Sequence, residues 1–137
     1  MSLFDWDDSL SVGIEEIDEQ HKRLLALLND LNEALLHSDA KGGYARARAG
    51  ALAYAREHLS QEEALMRQTG FPRYDRHKTQ HEEFMAHVNI LPEHPGRLDR
   101  EAAEMLLAFL RDWLVEHIMG GDQIFASFYR SRDGGKK

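Results

Sequence analysis

The chain has 137 residues and no cysteine, with 17 Lys and Arg against 24 Asp and Glu for a net charge of −7. That length suits one domain, spanning 1–137, that can bury a core unaided, and the missing thiols exclude disulfides, thiolate zinc sites, iron–sulfur clusters and cysteine nucleophiles. The acidic balance argues against a nucleic-acid or anionic-membrane partner, since both need a basic face.

The N-terminus MSLFDWDDSL is acidic and lacks the apolar stretch of a signal peptide. No run approaches the roughly 18 apolar residues of a membrane span. The expectation is a cytoplasmic protein without membrane insertion. Met1 to about Asp18 reads as a non-periodic arm whose Phe4, Trp6, Val12, Ile14 and Ile17 pack on the rest. A first helix is predicted from about Ile17 to His37, with His21, Leu24, Leu28, Leu31 and Leu35 on one stripe. Lys41-Gly42-Gly43 reads as a break. A second helix is predicted from about Tyr44 to Thr69, carrying Ala51, Ala55, His58, Glu62, Leu65 and Met66 inward. Gly70-Phe71-Pro72 stops it, with glycine at the cap and proline just beyond. A third runs from about Arg73 to Ile90 with Tyr74, His77, His81, Phe84 and Val88. After the loop Pro92–Gly96, a fourth opens near Asp99, read as its N-cap, and shows Ala103, Leu106, Leu110, Trp113 and His117. Gly120-Gly121 is read as its break, and Ile124 to Tyr129 as a short closing piece ahead of a frayed tail. Strand signals are weak. The fold class is all-α: an antiparallel up-down-up-down four-helix bundle with a non-helical N-terminal arm and a short C-terminal helical piece.

The chemistry lies in seven residues: His21, His58, Glu62, His77, His81, His117 and Asp122. The first six share the stripes of the leucines. His58 and Glu62 are i,i+4, about 40° apart at ~100° per residue, and so are His77 and His81. Asp122 lies five residues past His117, about 140° away on a regular helix. It joins the set only if the backbone unwinds or bulges at Gly120-Gly121, where that is cheap. One histidine on an apolar stripe is most often a core residue bonded to a carbonyl. Seven ionisable groups on four inner stripes would leave a badly destabilised core unless they hold metal.

Imidazoles mixed with carboxylates suit iron, manganese or zinc. The zinc-protease pattern HExxH is absent; the third helix has HKTQH. Ferritin-like sites need Glu three residues before His, and here those places hold Asp18, Ala55, Tyr74, Lys78 and Leu114. A histidine-rich two-metal site remains. His37, His87 and His94 read as surface residues, and Glu63 as pointing off the site.

The stretches FDWDDSLSVGIEEIDEQH, HLSQEEALM, GFPRYDRHKTQHEEF and WLVEHIMGGD, in this order and at these separations, resemble the bacterial hemerythrins of the hemerythrin family. The resemblance covers Phe4 to about Phe125. It implies two Fe ions in a non-haem centre, one held by His77, His81 and His117, the other by His21 and His58. Glu62, Asp122 and a solvent-derived oxo or hydroxo group would bridge them. One coordination position of two octahedral ions is then open, on the two-histidine side, where O2 would bind reversibly as ligand. The resemblance assigns Leu24, Leu59, Trp113, Leu114 and Ile118 to the walls of the O2 pocket, where a dry surround slows irreversible oxidation. Position 59 is commonly Phe in the family and is Leu here, which implies a roomier pocket and faster autoxidation. The function implied is oxygen binding for carriage, storage, transport or delivery, and no catalytic residue is assigned. O2 is the expected partner, with an oxygen-consuming enzyme as a candidate recipient. The alternatives are a redox sensor acting on a partner in trans and a di-iron reductase of nitric oxide or peroxide. The reading expects no fused second domain, which counts against a sensor, and no mineral cavity, which counts against iron storage.

Overall fold

The computed structural model describes residues 5–134, with side chains described to residue 131; Phe4 lies outside them. Four helices form the bundle. Helix α1 is Glu15–Leu36. Helix α2 covers 40–69, as an α-helical run Ala40–Tyr54, a π-helical turn Ala55–Leu59 and a second α-helical run Ser60–Thr69. Helix α3 is Tyr74–Ile90. Helix α4 covers 99–134, as Asp99–Trp113, a π-helical segment Leu114–Gly121 and Asp122–Gly134. Short connections make neighbours antiparallel, giving the up-down-up-down order read from the sequence.

The arm carries one short 3₁₀ turn, Asp8–Leu10. It is pinned at its junction with α1, where Asp18 accepts from Val12 N at 2.8 Å and from Ser11 Oγ. From α4, Gln123 Nε2 donates to Leu10 O at 2.9 Å. Val12, Ile17 and Ala126 close a small apolar cluster beneath it, and Trp6 packs against the main core. The arm therefore does pack on the bundle.

Several boundaries differ from the sequence reading. Lys41-Gly42-Gly43 is no break: α2 begins at Ala40 because Asp39 caps it, accepting from Gly42 N at 3.3 Å. Gly43 is buried against α1, where a Cβ would collide with that of Ala34. The glycine thus lets the two helices approach closely and does not interrupt either. Asp99 is the first residue of α4 and not its cap; the cap position is Leu98. Gly70 ends α2 in the left-handed conformation, φ 70°, as its place predicts. Gly120-Gly121 does not end α4 either: the helix widens there and runs on to Gly134.

The main core joins Leu24, Leu28, Leu31, Tyr44, Ala51, Tyr54, Phe84, Val88, Leu106, Leu110 and Ile118. Each fully buried Leu or Phe contributes about 1.5–3 kcal/mol of transfer free energy. That core reaches the polar stripes through Leu59, Trp113, Leu114 and Ile118. A separate cluster of Met66, Phe71 and Phe125 sets Phe71 against His77. Between α3 and α4, Phe84 meets Phe109 at 5.4 Å and Trp113 at 4.6 Å. An open cleft of about 430 Å³ runs beside them, reaching Trp113 and His117.

Candidate metal centre

All seven residues singled out in the sequence converge, and all are buried. Helix α1 supplies His21, α2 supplies His58 and Glu62, α3 supplies His77 and His81, and α4 supplies His117 and Asp122. The α4 pair shows how. The Asp122 N–H bonds back to His117 O, an i→i+5 bond that brings residues five apart onto one face. The widened turn therefore removes the angular offset that a regular helix would impose. Gly121 lies flat against His77, where a Cβ would stand 3.2 Å from the ring. The second π turn, Ala55–Leu59, contains His58.

The two carboxylates are shared between two groups of rings. Glu62 Oε1 lies 2.8 Å from His77 Nε2, 3.2 Å from His81 Nε2 and 3.5 Å from His117 Nε2. Its other oxygen is 3.5 Å from His58 Nε2. Asp122 Oδ1 lies 2.8 Å from His77 Nε2 and 3.1 Å from His117 Nε2. Its Oδ2 is 3.0 Å from His21 Nε2 and 3.8 Å from His58 Nε2. Each carboxylate thus turns one oxygen to the three-histidine side and one to the two-histidine side.

The unpartnered atoms test whether cations fit. Among the described residues the buried side-chain atoms without a hydrogen bond are His21 Nδ1 and Nε2, His58 Nε2, Glu62 Oε2, His117 Nδ1 and Asp122 Oδ2. All belong to the seven. Four of them, His21 Nε2, His58 Nε2, Glu62 Oε2 and Asp122 Oδ2, are the atoms that meet on the two-histidine side, and their residues form one of three groups able to hold a metal ion. Buried nitrogen and oxygen donors that face one another without a hydrogen bond suit a divalent cation.

Two further residues, missed in the sequence, hold the rings from behind. His58 Nδ1 donates to Gln20 Oε1 at 2.9 Å. His81 Nδ1 donates to Glu63 Oε2 at 2.9 Å, so Glu63 does not point off the site as expected. An amide or carboxylate oxygen only accepts, so in both rings the proton sits on Nδ1 and Nε2 presents its lone pair inward. The sole sequence signal was adjacency to His21 and Glu62. Around the centre, Trp113 stacks on His117 at 3.9 Å and Tyr54 on His58 at 4.8 Å. Trp113 Nε1 donates to Tyr54 Oη at 3.1 Å. His37, His87 and His94 are exposed, as expected.

Burial dominates the electrostatics. It drives His58 down to about 3, beyond what Glu62 and Asp122 restore. His117 is also opposed by burial, yet Asp122 and Glu62 hold it up at about 9. His77 is likewise raised by both carboxylates against burial. Burial pushes Glu62 and Asp122 up, and Asp122 repels Glu62 further; the surrounding histidines reverse these effects and keep both below the ordinary carboxylate range.

An all-helical bundle with a buried cluster of five imidazoles and two carboxylates defines a cation-binding helical protein. Residues 12–129 match the family described as the Hemerythrin HHE cation binding domain. A bacteriohemerythrin of Stenotrophomonas maltophilia (strain R551-3) is 34% identical over 128 residues, covering 92% of this chain and 81% of that protein. A hemerythrin-like protein of Naegleria gruberi is 33% identical over 121 residues, with 88% and 89% covered. A myohemerythrin of Riftia pachyptila is 33% identical over 125 residues, again with 88% and 89% covered. The chain belongs to the hemerythrin family. Among the described residues no helix is long and apolar enough to cross a membrane.

Proton release follows from the charges. At pH 7 His117, held at about 9, carries a proton that a metal must displace from the ring. His58, at about 3, is already neutral. Metal affinity therefore rises with pH until His117 deprotonates near 9. Calorimetry of metal uptake at pH 7 in buffers of different ionisation enthalpy should report about one proton or more released per chain. Uptake without proton release contradicts this charge assignment.

Proposed function

We propose that the chain holds two iron ions in this cluster and binds O2 reversibly there, as a carrier, store or local donor of oxygen. The observation that carries the reading is the division of each carboxylate, one oxygen to His77, His81 or His117 and the other to His21 or His58. Carboxylates placed in this way suit a bridge between two ions better than chelation of one. The three imidazoles of one side and the two of the other are unequal donor sets, so the side with fewer donors has room for an exogenous ligand. When bound, a ferrous pair supplies the two electrons that O2 takes up on binding.

The chain's own part is positioning and exclusion. Leu24, Leu59, Trp113, Leu114 and Ile118 are all buried in the one core cluster, and they serve as apolar walls that keep water from the ligand. The hydrogen bond from Trp113 Nε1 to Tyr54 Oη satisfies the polar end of that wall. Burial and then Asp122 hold the Tyr54 hydroxyl well above its usual range, so it is a poor source of protons. A buried hydroxyl that holds its proton favours release of O2 over its reduction, which supports carriage over nitric oxide or peroxide turnover.

The test is anaerobic reconstitution with ferrous iron, then cycles of oxygenation and degassing followed by visible absorption. A charge-transfer band that rises with O2 and vanishes on degassing is expected. Failure to take up iron, or irreversible oxidation at first contact, overturns carriage. The same assay tests the pocket wall. Leu59→Phe should fill space beside His58 and slow autoxidation, at an overpacking cost of about 1–3 kcal/mol in stability. A variant that autoxidises as fast as the parent contradicts the role of Leu59.

A further inference from the structure

Gln20 and Glu63 reach two rings of the centre from behind, and they do so with different charge. Gln20 is neutral and 4% exposed; its Nε2 donates to Gln61 Oε1, which holds its Oε1 toward His58. Glu63 is a carboxylate whose side chain is 19% exposed. Both acceptors select the same tautomer, with the Nδ1 proton outward and the Nε2 lone pair inward. Only the carboxylate also draws that proton toward itself, making Nε2 a stronger donor. The two cations that follow Gln20 on α1 are paired outward, Lys22 with Glu19 at 3.3 Å and Arg23 with Glu57 at 2.6 Å, both near the surface. A third buried carboxylate at position 20 would draw no compensation from them, which fits a neutral amide there.

We infer that Gln20 and Glu63 are positioning residues that grade the two halves of the centre. Glu63 strengthens the half built on His77, His81 and His117, while Gln20 orients His58 without strengthening it. The half built on His21 and His58 is then the weaker-binding, more exchangeable one, and the one that better retains a reduced ion. This rests on the two-ion reading above.

Cobalt(II) is the probe, because it binds without reacting with air and reports its ligands in the visible spectrum. Metal-free protein and the variants Glu63→Gln, Glu63→Ala and Gln20→Glu are titrated by calorimetry. The parent should bind two ions in two steps. Glu63→Gln keeps an acceptor for His81 and loses only charge, so it should weaken the tighter step by about 10–100-fold and leave the weaker step unmoved. Gln20→Glu should tighten the weaker step by about tenfold or more and lower the midpoint potential of the iron-loaded protein. If Gln20→Glu does not fold, Glu63→Gln, altered at a partly solvated position, decides alone. A Glu63→Gln titration matching the parent, with only Glu63→Ala impaired, reduces Glu63 to a prop and overturns the grading alone. A parent chain that takes up no pair of ions overturns the two-ion reading and the grading with it.

Discussion

The burial of two carboxylates among five imidazoles is the constraint on which the rest of the structure depends. Glu62 and Asp122 are fully shielded from solvent, and burying an ion costs several kcal/mol even after relaxation. Six buried atoms of the cluster make no hydrogen bond, while the histidines around the two carboxylates offset their burial. The apolar clusters packed about the centre supply the rest of the stability, and a cation that binds only the folded cluster adds to it.

The backbone pays attention to the same constraint. Regular helices would leave His117 and Asp122 on different faces, and the π segment Leu114–Gly121 brings them together. A π turn sacrifices good α-helical bonding, so it persists only where something holds it. Here the holders are the contacts of Asp122 with His21, His77 and His117. Gly121 contributes by leaving room for the His77 ring. The aromatic shell completes the arrangement: Tyr54 and Trp113, joined by a hydrogen bond, stack on one ring from each side of the centre.

The bundle was legible because its apolar period is helical and its connections short. His21, His58, Glu62, His77, His81 and His117 were legible because ionisable groups on leucine stripes are costly without a purpose. Asp122 was legible only conditionally, through two glycines whose effect on the backbone depends on tertiary contacts. The start of α2 was misread because glycine pairs usually break helices. Here Asp39 supplies the cap, and packing on Ala34 demands the missing side chain. Gln20 and Glu63 were not legible at all. Each sits next to a site residue, where helical geometry points a side chain away from the shared face. They reach the rings of neighbouring helices, a relation that spacing along one helix cannot show.

The central claim is that Glu62 and Asp122 each join two ions. It is tested most directly by anomalous diffraction at the iron edge from crystals of the iron-loaded protein. Two peaks about 3.5–4 Å apart are expected, one among the Nε2 atoms of His77, His81 and His117 and the other beside those of His21 and His58. A single peak, or two with either carboxylate turned wholly to one ion, would contradict it.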